Sequence, residues 1–157
     1  MQRQTEGGGG TYTQQSGQKL KDATRAFELN RRAFVYGTLK EGYSNNRLLM
    51  SSRKMTNTQT VSKLVLGNVG FPYAFPDDAV PEQYKKLLFP VKGEMYEVDT
   101  VKSFVNLDIL EGYPSHYNRR IVRFENGLDA WMYVQPDWYN ARYCDACTLE
   151  DETWSWP

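Results

Sequence analysis

The sequence predicts an α+β fold in which a small, mostly antiparallel sheet curls toward a barrel and one short helix packs at its edge. Three observations lead there. Strand-type runs outnumber helical ones along the chain. The clearest unit is a hairpin, in which Ile121-Val-Arg-Phe124 and Ala130-Trp-Met-Tyr-Val134 flank Glu125-Asn-Gly-Leu-Asp129, and an Asn-Gly between β-type runs is a strong turn signal. Helical spacing with end signals is found over residues 100–111, where Val101, Phe104, Val105 and Leu107 recur on one side.

Taken in order, residues 1–29 hold Gly7 to Gly10 and many Gln, Thr and Ser without apolar periodicity, and read as a flexible leader. Arg32-Ala-Phe-Val-Tyr36 is a short apolar and aromatic run that ends at Gly37, a strand feeding a tight loop. Val61 to Leu66 is a second β-type run, closed by Gly67-Asn68, and Gly70-Phe-Pro-Tyr73 has loop chemistry with exposed aromatics. Leu87 to Val98 reads as one long strand or a strand pair, with Val91, Gly93 and Met95 on one face and Tyr96 and Val98 on the other. Asp99-Thr100 offers an N-cap oxygen to the helix over 100–111, and Gly112 and Pro114 stop it. The hairpin follows. The expected organisation is a domain over residues 30–143, with residues 144–157 as a C-terminal extension and no internal repeat.

Composition narrows the function classes. At 157 residues the chain suits one domain with a full core. Its formal net charge is zero and its lysines and arginines are scattered, so no electrostatic footprint for nucleic acid or a membrane surface is expected. No apolar run approaches the roughly 18 residues that span a bilayer, and no signal-peptide core opens the chain, which makes a soluble cytoplasmic protein the expectation. Cys144 and Cys147 form a lone Cys-Asp-Ala-Cys. Zinc would need two further ligands that the single histidine, His116, cannot supply, so no metal is expected and the pair reads as reduced surface thiols.

Two features carry chemistry. Glu111 sits in the last turn of the 100–111 helix, where the carbonyl end of the helix dipole disfavours a carboxylate by a few tenths to about 1 kcal/mol. It also follows Phe104 and Leu107 on the core-facing side. Three readings stand at this point: a buried proton-transfer group, a side chain rotated to solvent, or a structural ion pair with Arg119 or Arg120. The second feature is Val35-Tyr-Gly-Thr-Leu-Lys40, followed by Gly42 and Asn45-Asn46. A glycine directly after an aromatic strand admits a close approach, and consecutive loop amides can hold an anion such as a carboxylate; the same pattern also serves as a plain turn.

Five blocks in order, Val35 to Lys40, Phe71-Pro-Tyr-Ala74, Val91 to Asp99, Leu107 to Arg119 and Ala130 to Val134, resemble the γ-glutamylcyclotransferase-like family, and within it the γ-glutamylamine cyclotransferase and AIG2-like branch. The match covers about residues 33–135. The resemblance implies a compact, mostly antiparallel β-barrel with a few short flanking helices. It also implies cyclisation of a γ-glutamyl group to 5-oxoproline with release of an amine or amino acid, without metal or organic cofactor. By the same resemblance Tyr36, Gly37, Thr38 and Leu39 hold the glutamyl head of a small-molecule substrate, and Glu111 is the catalytic proton-transfer residue.

Chemistry accounts for these residue types. The substrate's α-amine must lose a proton to attack its own γ-carbonyl, and the leaving nitrogen must gain one, so a single carboxyl that accepts and then donates suffices. Burial beside Phe104 and Leu107 should raise its pKa toward the working range. Tyr117 is the candidate for a polar pocket wall, or else a tyrosine packed at the loop base. Arg119 either braces the loop or pairs with Glu111, and a tight pair would lower the carboxyl pKa. His116 reads as an exposed loop histidine outside the site. Two other classes stay open: a non-catalytic small-molecule binding module on the same fold, and a protein-interaction module using the aromatic loops or Trp154-Ser-Trp156. The stretch Asp77 to Lys86 and the C-terminal extension are positioned to reshape the pocket mouth.

Overall fold

Strand β1 (Arg32–Val35) is buried along most of its length, and the other elements of the computed structural model, which describes residues 8–157 and side chains from residue 17 onward, are arranged around it. It pairs antiparallel with β5 (Lys92–Glu97), Ala33 opposite Tyr96, and parallel with β7 (Asp129–Val134), Ala33 opposite Trp131. β2 (Arg53–Gln59) adds to β5, and β6 (Asn118–Arg123) adds to β7, which gives a five-stranded sheet in the order β2-β5-β1-β7-β6. Side chains alternate between two apolar cores because successive residues of a strand face opposite sides. Val35 and Tyr133 face the core shared with the helices, whereas Phe34, Met95 and Met132 fill the inside of the curl.

The curl brings the two edges of this sheet together at one end without closing it. Thr60 and Phe124 form a single bridge, with Val61 N–H donating to the Arg123 carbonyl and Glu125 N–H to that of Gln59, both at 3.0 Å. The contact stops there because Thr60 is tied elsewhere: its N–H donates to the Val91 carbonyl, and its hydroxyl accepts from Val91 N–H, each at 3.0 Å. β3 (Leu64–Asn68) and β4 (Pro72–Pro76) form a second sheet with β8 (Asp145–Ala146), and β9 (Thr148–Glu150) pairs with β10 (Thr153–Ser155). The fold is therefore α+β with three sheets, and among the described residues no sheet closes into a barrel.

Helix α2 (Val101–Glu111) begins where the end signals place it: the Thr100 hydroxyl accepts from Ser103 N–H at 3.1 Å. Gly112 ends it at φ +64°, a left-handed conformation that glycine adopts without penalty. The hairpin is present as β6 and β7, with Val122 opposite Ala130. Among the described residues no helix is long and apolar enough to cross a membrane.

Several expectations are corrected. The flexible leader expected over residues 1–29 is instead helical from Gly8 to Leu29 (α1); its first seven positions lie outside the described residues. Ala23, Ala26 and Phe27, spaced as one helical stripe, bury against α2, with Phe27 edge-on to Phe104 at 6.4 Å. Gly70 to Tyr73 is less a loop than the entry to β4, all five residues of which are buried; prolines at both ends are tolerated because β4 is the edge of its sheet. The run Leu87 to Val98 is a strand only from Lys92, with Phe89 and Val91 making single bridges. Asp77 to Lys86 folds as two short 3₁₀ turns. Cys144 and Cys147 are free and half-buried rather than surface thiols; the Cys144 sulfur occupies space that a side chain at Gly67 would need.

Candidate active site

A cavity of about 270 Å³ opens where the loop after β1, the end of α2, and the starts of β4 and β6 converge. Three buried tyrosines form its floor, each with its hydroxyl proton committed. Tyr36 Oη donates to the Tyr133 carbonyl at 2.6 Å, Tyr117 Oη to the Pro72 carbonyl at 2.6 Å, and Tyr133 Oη to Asp108 Oδ1 at 2.5 Å. Burial pushes all three phenols up, so they stay neutral and act as fixed ties between strands and helix.

The loop Tyr36 to Leu39 forms one wall. Its carbonyls are occupied: Gly37 O accepts from Lys40 N–H at 3.0 Å, Thr38 O from Asn45 N–H at 3.1 Å, and Leu39 O from the Asn46 side chain at 2.8 Å. The Thr38 hydroxyl accepts from the Asn45 side-chain amide at 2.8 Å. By contrast, among the described residues the backbone N–H groups of Gly37, Thr38 and Leu39 find no protein acceptor, which leaves a row of donors beside the cavity. Gly37 has a separate reason to be glycine: a Cβ there would lie 2.6 Å from Pro72 Cγ, so the loop backbone packs directly on the proline ring that opens β4.

Glu111 lines the cavity opposite this loop, one turn beyond Leu107. Among the described residues no lysine, arginine or histidine pairs with it. Arg119 is held instead by Asp108, with Nε to Oδ1 at 2.9 Å and Nη2 to Oδ2 at 3.1 Å, and by Asp22 at 2.8 Å, while Arg120 meets Asp78. The ion-pair reading of Glu111 is thus overturned: its neighbour one position back along the same helical stripe takes the arginine. With desolvation unopposed by a cation, burial pushes the Glu111 carboxyl up to about 7.

All six residues singled out in the sequence lie at this cavity, although Leu39 also belongs to the core cluster. His116, set aside in the sequence, is exposed as expected, yet it lines the mouth, with Nε2 3.4 Å from Tyr73 Oη. Phe71 and Asn45, read in the sequence within motifs but not as site residues, also line it, as does Leu110, which was not singled out because an exposed Leu carries no signal until the chain is folded. Asp108 was missed as well; its position four residues after Phe104, on the buried side of α2, was the available clue. Among the described residues no three His, Cys, Asp or Glu side chains gather as metal ligands.

Comparison with known proteins gives this geometry a context. The family model described as gamma-glutamyl cyclotransferase, AIG2-like, matches residues 33–155, reaching beyond the last block read in the sequence, which ends at Val134. A provisionally named gamma-glutamylcyclotransferase of Vibrio cholerae is 35% identical over 104 residues, covering 66% of this chain and 81% of that protein. One of Methanocaldococcus jannaschii, also provisionally named, is 30% identical over 109 residues, covering 66% of this chain and 83% of that one. The crystal structure of an AIG2-like protein from Mus musculus superposes with a TM-score of 0.59 at 24% identity, over 77% of this chain and 88% of that one, a likeness of fold.

Proposed function

The chain belongs to the gamma-glutamyl cyclotransferase, AIG2-like family, and from that premise we propose that it is a γ-glutamylamine-type cyclotransferase with Glu111 as its proton-transfer residue. The observation that carries this reading is the pairing of an un-ion-paired carboxyl, pushed up to about 7, with a row of unoccupied backbone amides across one small cavity. At about 270 Å³ the space suits an amino-acid-sized head and leaves what is attached to it outside.

In this reading the substrate's α-carboxylate sits on the N–H groups of Gly37, Thr38 and Leu39, which turns its α-amine toward Glu111. Glu111 takes a proton from the amine, the nitrogen attacks the γ-carbonyl, and a C–N bond forms to close the five-membered ring. The tetrahedral centre then collapses: the bond to the leaving nitrogen breaks as Glu111 returns the proton to it. 5-Oxoproline and a free amine result, with no net change in protons on the protein. Ring closure is intramolecular, so holding the glutamyl chain folded supplies much of the acceleration. The floor tyrosines act by position, since their protons already bind carbonyl or carboxylate oxygens.

The test is 5-oxoproline release from a panel of γ-glutamyl-amines, isopeptides and dipeptides by wild type and by Glu111→Gln. We expect turnover by the wild type and a loss of at least about 100-fold in the variant, with its fold and ligand binding kept. Wild-type-like turnover by Glu111→Gln would end the assignment. Binding without product from any substrate would move the protein to the class of non-catalytic binding modules.

A further inference from the structure

Of the five blocks read in the sequence, Val91 to Asp99 contributes no residue to the described lining of the cavity. It stands behind the loop instead. On β5, Glu94 is opposite Val35 and Tyr96 opposite Ala33, so both side chains rise from one face of the sheet beside the point where β1 turns into the loop. The Glu94 side chain is 13% exposed, and both of its oxygens are engaged. Oε1 accepts from Glu41 N–H at 2.8 Å and from Tyr96 Oη at 3.1 Å, while Oε2 faces Lys54 Nζ at 3.7 Å. Burial pushes the Tyr96 phenol up to about 12, so its proton stays in place and points at the carboxylate.

The network continues into the loop. Tyr96 Oη accepts from Asn46 Nδ2 at 3.0 Å, and the same nitrogen donates to the Leu39 carbonyl at 2.8 Å. Glu94 therefore grips the chain twice, at Glu41 directly and at Leu39 through two side chains. The peptide unit is planar and trans, so a carbonyl held in one direction holds the next residue's N–H in the other. Leu39 O, pinned toward Asn46, sets Lys40 N–H toward Gly37 O at 3.0 Å, and Gly37 O so engaged sets Thr38 N–H the opposite way. Thr38 N–H is the middle donor of the row that lies beside the cavity.

We propose that Glu94 is a positioning residue for ligand binding: acting through Glu41 N–H and through Tyr96 and Asn46, it holds the Gly37 to Leu39 amides in the orientation that receives a carboxylate. This deepens, and rests on, the reading in which those amides take the substrate's α-carboxylate. Glu94 acts from outside the cavity, with Lys54 beside its charge, by fixing the direction of the backbone. A carboxylate suits the task because one of its oxygens accepts from the loop and from Tyr96 together.

The test is a binding cycle in the Glu111→Gln background, where turnover does not intervene. Kd is measured by calorimetry for γ-glutamyl-n-butylamine and for γ-aminobutyryl-n-butylamine, which differs from it only in lacking the α-carboxylate. We expect Glu94→Ala to weaken the first compound by at least about tenfold and the second by less than about twofold, because only the first uses the amide row. Tyr96→Phe, which removes one hydroxyl and keeps the buried ring, should weaken the first compound by at least about threefold and leave the second unmoved. Glu94→Gln keeps an acceptor oxygen and should bind both within about threefold of the parent. A merely structural role would weaken the two compounds alike, and a charge effect would tighten the first in Glu94→Gln as in Glu94→Ala; either result overturns the inference. A preference for the carboxylate that Glu94→Ala and Tyr96→Phe leave intact ends the positioning role alone and keeps the amide row. Equal binding of the two compounds by the parent protein would end the carboxylate reading of the row and the role of Glu94 with it.

Discussion

A carboxyl whose pKa is raised by burial leaves a mark on stability as well as on rate, and Glu111 should show both. Its ordinary pKa is near 4.5, and in the folded chain it is pushed up to about 7. Between those values the folded protein holds a proton that the unfolded chain has released, so stability falls as pH rises through that window and levels off above it. Glu111→Gln removes the titration. The variant should match wild type near pH 4 and exceed it by about 3 kcal/mol above pH 8, as read by urea denaturation at both ends. A gap that does not change with pH would sink the claim that desolvation sets this group. The same titration predicts that kcat/KM falls as pH drops through about 7, because a protonated carboxyl cannot accept the amine proton. What the sequence revealed of this residue was its awkward place at a helix C-terminus on the apolar side. What it could not reveal was the fate of Arg119, since a guanidinium eight residues away has several carboxylates within reach until the chain folds.

Helix α2 presents two acids on one buried stripe, and the difference between them is what the element contributes. Asp108 takes Arg119 in a two-pronged pair and also accepts from Tyr133, while the guanidinium lies 3.9 Å over the Tyr113 ring. Removing one partner leaves a buried charge without its match. Asp108→Ala should therefore cost about 3–5 kcal/mol, whereas the double change Asp108→Leu with Arg119→Met should recover most of that loss. Equilibrium denaturation of the three proteins checks it; a cost below about 1 kcal/mol for the single change would show that Asp22 alone suffices for Arg119. The elements that were legible share a property. α2 has a cap oxygen at Thr100 and a stop at Gly112, and the β6–β7 hairpin has its Asn-Gly turn, so local chemistry alone specifies both. β2 was not legible, because Arg53 to Gln59 is polar along an exposed sheet edge with a register shift between Lys54 and Thr56. β4 was hidden by its two prolines, and α1 by the glycines at its start, although Ala23, Ala26 and Phe27 carried the helical spacing later in the segment.

At the scale of the whole molecule, the question is whether the chain beyond residue 143 is an appendage or part of the domain. Nothing in the pattern of residues 144–157 marks it as core, since its strands are two or three residues long and β8 finds its partner, β3, far off in sequence. Folded, it closes the inside of the curl. Trp154 is buried in the inner core that also holds Phe34 and Met95, its Nε1 donates to the Leu87 carbonyl at 3.0 Å, and its N–H donates to that of Pro90 at 2.8 Å. Two residues on, Trp156 Nε1 reaches Asn68 Oδ1 at 3.1 Å, and its carbonyl accepts from Lys40 Nζ at 2.8 Å, just after the loop that lines the cavity. The segment thus joins the second sheet to the loop that carries the amide row. Trp154→Ala should cost about 3–5 kcal/mol, the range for truncating a large buried aromatic, measured as the shift in denaturation midpoint at constant slope. A dispensable tail would lose less than about 0.5 kcal/mol, the usual size of a surface substitution. Because the same segment holds Lys40, the variant at a temperature where it remains folded should also bind the substrate's glutamyl head more weakly, a rise in KM that an appendage would not produce.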